Sequence, residues 1–148
     1  MQPKPLADSI SVVAQIEVDD LAALAARGFR SVINNRPDGE ADDQPASAEL
    51  AAAAEQLGLA YRYVPVVSGQ LVDADVDAFA QALEALPPPV LAFCRTGTRS
   101  TMLWALQASR SHSVEDVVRI AAAAGYDLEA LQPRLQAQHD PCTRHAES

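Results

Sequence analysis

Three consecutive prolines, Pro87-Pro88-Pro89, stand directly before four apolar residues, Val90-Leu91-Ala92-Phe93. Proline lacks a backbone N–H and clashes with the preceding helical turn, so a helix that reaches Pro87 must stop there. The unbroken apolar run that follows is the pattern of a strand buried on both faces, at the centre of a sheet covered by helices on either side. A chain of 148 residues holds one such core, since domains most often run to roughly 100 to 150 residues. With 49% hydrophobic and 21% charged residues it has enough apolar surface to bury, which excludes a disordered or fibrous chain.

The neighbouring segments alternate between strand and helix patterns. Residues 10–14 read as a strand, followed by a helix capped at Asp19, with Leu21, Leu24 and Ala25 on one face and Gly28 at its end. Residues 29–34 form a second strand that opens into a polar loop, Asn35-Arg36-Pro37-Asp38-Gly39-Glu40, continuing to Pro45. Ser47 is the expected cap of a helix with Leu50, Ala53, Ala54 and Leu57 at the helical period, and residues 60–67 read as a strand. Asp73 opens a third helix, with Val76, Phe79, Ala80 and Leu83 in one stripe, which the prolines end. A helix over 100–109 is expected next, then one opened by Ser113 with Asp116 three residues on, then one carrying Leu128, Leu131 and Leu135.

This order predicts one α/β domain over residues 1–137: a three-layer sandwich whose mostly parallel sheet, of about four to five strands, has helices on both faces. Residues 138–148 read as a polar tail. Ligands of such sheets sit beyond the carboxyl ends of the strands.

Eleven Lys and Arg against 20 Asp and Glu give a net charge of -9, which repels nucleic acid and anionic membrane surfaces. The two cysteines, Cys94 and Cys142, are too few for a disulfide framework and lack metal-ligand spacing. His112, His139 and His145 show no metal-like spacing either and read as surface residues. No cofactor fingerprint is present, so neither a metal nor a cofactor is expected. The amino end lacks the apolar run of roughly 7 to 15 residues of a signal peptide, and no stretch approaches the roughly 20 apolar residues that span a bilayer. A cytoplasmic protein with reduced thiols is the expectation.

The chemistry concentrates in Cys94-Arg95-Thr96-Gly97-Thr98-Arg99-Ser100, between the buried strand and a helix. Several backbone N–H groups at a helix amino terminus have no intrahelical partner, and the dipole there is positive, so anions bind and thiolate is favoured over thiol. Cys94 is thus the candidate nucleophile. Gly97 lets the backbone curl, Arg99 can offer two parallel hydrogen bonds to an oxyanion, and Arg95, Thr96, Thr98 and Ser100 add donors. In the loop after residue 34, Asp38 is the candidate acid and Arg36 a candidate second anion contact, set against a plain turn-forming role. Asp73 and Asp75 read instead as helix-start residues.

The strand-Cys-loop-Arg-helix order resembles the phosphate-binding loop of the cysteine-dependent protein phosphatases, which implies attack by Cys on phosphorus with Arg clamping the oxygens. Those enzymes place five residues between Cys and Arg, whereas four separate Cys94 from Arg99. The shorter ring resembles the active loop of rhodanese sulfurtransferases, which implies a persulfide on Cys within a tighter cradle of N–H groups. Across residues 6–135 the chain is similar to the phosphatase-like domain of bacterial beta-lactamase-hydrolase-like proteins. That likeness is carried by Gly28-Phe29, by Val32-Ile33-Asn34-Asn35-Arg36-Pro37-Asp38-Gly39-Glu40, by Tyr63-Val64-Pro65-Val66, and by the Cys94 loop with Leu103-Trp104. It implies a dual-specificity-phosphatase-like fold and a sulfurtransferase or phosphatase activity. Phe93 stands where phosphatases commonly have His, and residues 68–70 carry no acid. Sulfur transfer needs little leaving-group protonation. The expected reaction is therefore transfer from a small anionic sulfur donor, thiosulfate or glutathione persulfide, to a thiol or cyanide through a Cys94 persulfide. Hydrolysis of a phosphate ester through a phosphocysteine is the alternative, and a non-catalytic loop that senses an anion or an oxidant is a third reading.

Overall fold

The computed structural model describes residues 1–140. Its elements are β1 (Lys4–Ala7), β2 (Ile10–Val13), α1 (Asp20–Ala26), β3 (Ser31–Asn34), α2 (Ser47–Gln56), β4 (Ala60–Tyr63), α3 (Asp73–Ala85), β5 (Val90–Phe93), α4 (Thr98–Ala108), α5 (Val114–Ala123) and, after a turn of 3-10 helix at Glu129–Leu131, α6 (Gln132–His139). The five strands lie in the order β1-β2-β5-β3-β4. β5 is central, as its apolar run requires, and all four of its residues are buried. β2, β5, β3 and β4 are parallel, and β1 adds an antiparallel edge. β1 escaped the sequence reading because Pro3 and Pro5 mark an irregular segment, and proline in a sheet is confined to such edge positions.

Alternation along the strands divides the core in two. Val90 and Ala92 of β5, with Ile33 of β3, pack against α3, α4, α5 and α6 through Phe79, Leu103, Val117 and Leu135. Leu91 and Phe93, with Val32, pack against α1 and α2 through Leu21, Leu24 and Leu50. Residues at successive strand positions point to opposite faces, so one four-residue strand serves both layers. Register then sets the site. Val13 and Asn34 both pair with Phe93, and Asn34 pairs with Tyr63, so the carboxyl ends of four strands finish level and release their loops at one edge.

Three helix starts are satisfied as their sequences allow. Ser113 Oγ accepts the Asp116 N–H at 3.1 Å, the expected cap of α5. For α3 the cap position is Val72, one residue before Asp73, and Asp75 reaches back to accept the Val72 N–H at 3.0 Å. Ser47 is not a cap but the first residue of α2, and its N–H is taken by the Asp38 carboxylate at 2.8 Å. The domain also runs past residue 137, because α6 continues to His139 and Gln138 is buried. His139 Nδ1 lies 2.9 Å from the Ser109 carbonyl and 3.0 Å from that of His112, tying α6 to the end of α4. Cys142 and His145 lie outside the described residues.

Candidate active site

Cys94 follows β5 directly, and its sulfur is buried. The chain then turns through Gly97, whose φ of 90° is a left-handed conformation open mainly to glycine. Gly97 is the amino-terminal cap of α4, and its N–H donates to Cys94 Sγ at 3.1 Å. Tyr126 closes over the same residue. Its hydroxyl donates to the Thr96 carbonyl at 3.2 Å, and a Cβ on Gly97 would collide with the phenol. Burial, and then the nearby Cys94 charge, raise the Tyr126 hydroxyl above its ordinary value, which keeps it a proton donor.

Arg99 opens the first turn of α4, and its guanidinium is held by Glu40. Nη1 donates to Glu40 Oε2 at 2.8 Å and Nη2 to Oε1 at 2.9 Å, while Nη1 also donates to the Val66 carbonyl at 2.9 Å. Three of five donors are engaged, which leaves Nε–H and the second Nη2–H, the two parallel donors of the side edge. Glu40 is anchored in turn by Arg36 Nε at 2.9 Å, and Arg36 Nη1 donates to Gln15 Oε1 at 3.0 Å. The bidentate contact with Arg99, reinforced by Arg36 against the cost of burial, holds the Glu40 carboxyl below its ordinary value, so it is ionised. The same contact raises the Arg99 guanidinium further, with a contribution from Cys94.

Several site candidates therefore take different positions from those expected. Arg36 is not a second anion contact: it is 5% exposed and braces Glu40. Asp38 is exposed, caps α2, and takes the Tyr63 hydroxyl on its own N–H at 2.8 Å. It is engaged as a structural carboxylate, which removes the basis for making it the acid. Ser100 points away from an anion, donating to Asn35 Oδ1 at 2.8 Å in the interior. Asn35 joins three loops, since its Nδ2 donates to the Val64 carbonyl and its N–H to that of Phe93, each at 2.9 Å. Thr96 Oγ1 donates to Thr98 Oγ1 at 3.0 Å.

Beside the loop is a depression of about 600 Å³ whose wall includes Arg95, Thr96, Thr98, Arg99, Glu40 and Arg134. A larger hollow of about 740 Å³ lies at the other end of β2, beside Ile10, Trp104 and His112. Of these two the smaller is the candidate site, because it adjoins the Cys94 loop at the strand carboxyl ends. Sequence reasoning missed Glu40 and Arg134. Glu40 lies in the loop after β3, four residues from Arg36, and that opposite-charge pair is the signal the sequence offers; nothing local points to Arg134. Among the described residues no group of three or more His, Cys, Asp or Glu is placed to hold a metal ion, and no helix is long and apolar enough to cross a membrane.

A cysteine cradled at a helix amino terminus after the central parallel strand, with a fixed arginine in the first turn, defines the class of cysteine-phosphatase-like proteins. Within it the chain belongs to a particular family: residues 4–112 match the phosphatase-like domain of the beta-lactamase hydrolase-like proteins. Curated relatives of that name are 36% identical in Xylella fastidiosa and 31% in Agrobacterium fabrum, each over 92% of this chain. The chain spans about a third of their length, 34% in both cases. Among solved structures, a candidate phosphatase from Neisseria meningitidis Z2491 is 34% identical, with a TM-score of 0.81 over 91% of this chain and 96% of its own. The kinase-associated phosphatase, solved with serine in place of its catalytic-site cysteine, shares the fold at 15% identity, with a TM-score of 0.71 over 94% of this chain and 88% of its own.

Proposed function

We propose that the chain is a cysteine-dependent phosphatase-class enzyme that acts on small phosphate esters with weakly basic leaving groups. The observation that carries this reading is the buried Cys94 sulfur, met by the Gly97 N–H at 3.1 Å, at the start of the helix that carries Arg99. In the first step the sulfur attacks phosphorus, an S–P bond forms and the P–O bond to the leaving group breaks. In the second, water attacks the phosphocysteine, inorganic phosphate departs and the thiolate returns. Loop N–H groups and the side edge of Arg99 carry the charge on the phosphoryl oxygens, aimed there before reaction begins. The leaving-group restriction follows from the acids. Glu40 is the one carboxylate on the depression wall among the described residues, and it is ionised and bound to two arginines. With no proton to give, the site suits phenolic or enolic phosphates, whose oxygen departs as a stable anion.

One observation favours sulfur transfer as a second reading: only four residues separate Cys94 from Arg99. That ring is one residue short of the phosphatase spacing. A persulfide sulfur fits a smaller cradle, and its chemistry requires no acid either. Intact-mass measurement after brief incubation separates the two. A phosphoryl adduct from an aryl phosphate, absent in Cys94→Ser, supports the phosphatase; a cyanide-reversible gain of one sulfur from thiosulfate or glutathione persulfide, with no phosphate release, replaces it with the sulfurtransferase. An unmodified protein with both substrates and no turnover overturns both readings.

A further inference from the structure

Three guanidiniums, Arg95, Arg99 and Arg134, share the wall of the depression with one carboxylate, Glu40, in a protein whose net charge is -9. Glu40 engages Arg99 through both of its oxygens, so the positive charge least compensated belongs to Arg95 and to Arg134, whose ion pair with Asp73 is long. That excess is larger than one reacting anion requires. Of the two, Arg134 is the prepared one. Its Nη1 donates to the Leu71 carbonyl at 3.0 Å, while its Nη2 makes that ion pair with the Asp73 carboxylate at 3.6 Å, too far for a hydrogen bond. The guanidinium is thus fixed by one donor and keeps others for a ligand, whereas the exposed Arg95 side chain would have to be ordered at an entropic cost. Arg134 also comes from α6, an element separate from the Cys94 loop, so it reaches the depression from a different part of the fold. Val67, Leu71 and Met102 supply apolar wall in the same depression, and about 600 Å³ suits a small molecule.

We propose that the substrate is a small molecule with two anionic ends, a reacting group held at the Cys94 loop and a second anion, of carboxylate type, bound by Arg134. The inference rests on the reading above that the loop takes an anionic group, and it adds what the rest of the substrate must look like.

Isothermal titration with two non-hydrolysable probes of matched shape, 3-phosphonopropionate and propylphosphonate, tests it. The wild-type protein is expected to bind the carboxylate-bearing probe about tenfold more tightly, as a charge-assisted hydrogen bond allows. Arg134→Gln, and Arg134→Met, which keeps the apolar stem, should bring that ratio towards one; Arg62→Gln, which removes a positive charge from exposed β4, should leave it in place. A purely structural role for Arg134 would not move the ratio. A wild-type ratio near one, or a ratio that survives in the Arg134 variants, overturns the second-anion site while propylphosphonate binding leaves the function reading standing. Failure of the wild type to bind either phosphonate overturns both. The wild-type ratio decides by itself should the Arg134 variants not fold.

Discussion

Two loops leave neighbouring parallel strands at the same edge, one after β3 carrying Asn34 to Glu40 and one after β5 carrying Cys94 to Arg99. Both hold an arginine, small polar residues and a glycine with positive φ, yet they do opposite things. In the β3 loop the polar groups are paired within the protein. Asn34 takes the Arg36 N–H, Arg36 holds Glu40, and Asp38 holds α2. In the β5 loop a backbone N–H points at a sulfur, and an arginine keeps one edge open. A reactive loop is thus distinguished less by its residue types than by which of its donors are left unused, and the neighbouring loop makes that possible by fixing Arg99 from behind.

The sharpest way to break this contrast is Cys94→Ser, which should lower turnover at least about a thousandfold while thermal unfolding stays near that of the wild type; turnover that persists would move the chemistry elsewhere. Gly97→Ala comes next. The added methyl meets Tyr126, and the positive φ resists any side chain, so a loss of about 1–3 kcal/mol in denaturant unfolding is expected, with activity falling along with it. Glu40→Gln should cost about ten- to a hundredfold in kcat/KM, because a misplaced positioning group is felt at that scale. The variant also carries a pH test. Glu40 titrates lower in the folded protein than its ordinary value, so its stabilising contribution is present above the unfolded carboxylate value and is lost as pH falls through the folded one. Wild-type stability should therefore decline towards acid more steeply than that of Glu40→Gln, measured as melting temperature across the acid range. The smallest effect belongs to the β3 loop itself: Asp38→Ala should cost about 1 kcal/mol as a lost helix cap, with kcat within about twofold of the wild type. A large fall in kcat without loss of folding would return Asp38 to the chemistry.

These residues also mark how far the sequence could be read. β5, the flanking helices and the position of the cysteine loop were legible because each is written locally: an apolar run, a 3.6-residue period, a cysteine before a glycine turn. Asp38, Arg36 and Ser100 were placed in the right region, without the partners they meet there. Each is engaged by a residue from another element, Ser47, Gln15 or Asn35, and such pairings depend on strand register, which a single sequence does not display. Arg134 is the extreme case. Only the packing of α6 brings it to a wall whose nearest other member in the chain, Met102, lies 32 residues earlier. The end of the domain was misjudged for a related reason, since Gln138 looks solvated in sequence and is buried in fact.

The burial of Cys94 bears on access as much as on reactivity. A sulfur with no exposed surface can be met only by a reagent slim enough to reach into its loop, so bulky thiol reagents should modify it slowly. For a thiol so placed, reach limits its encounters before nucleophilic strength does.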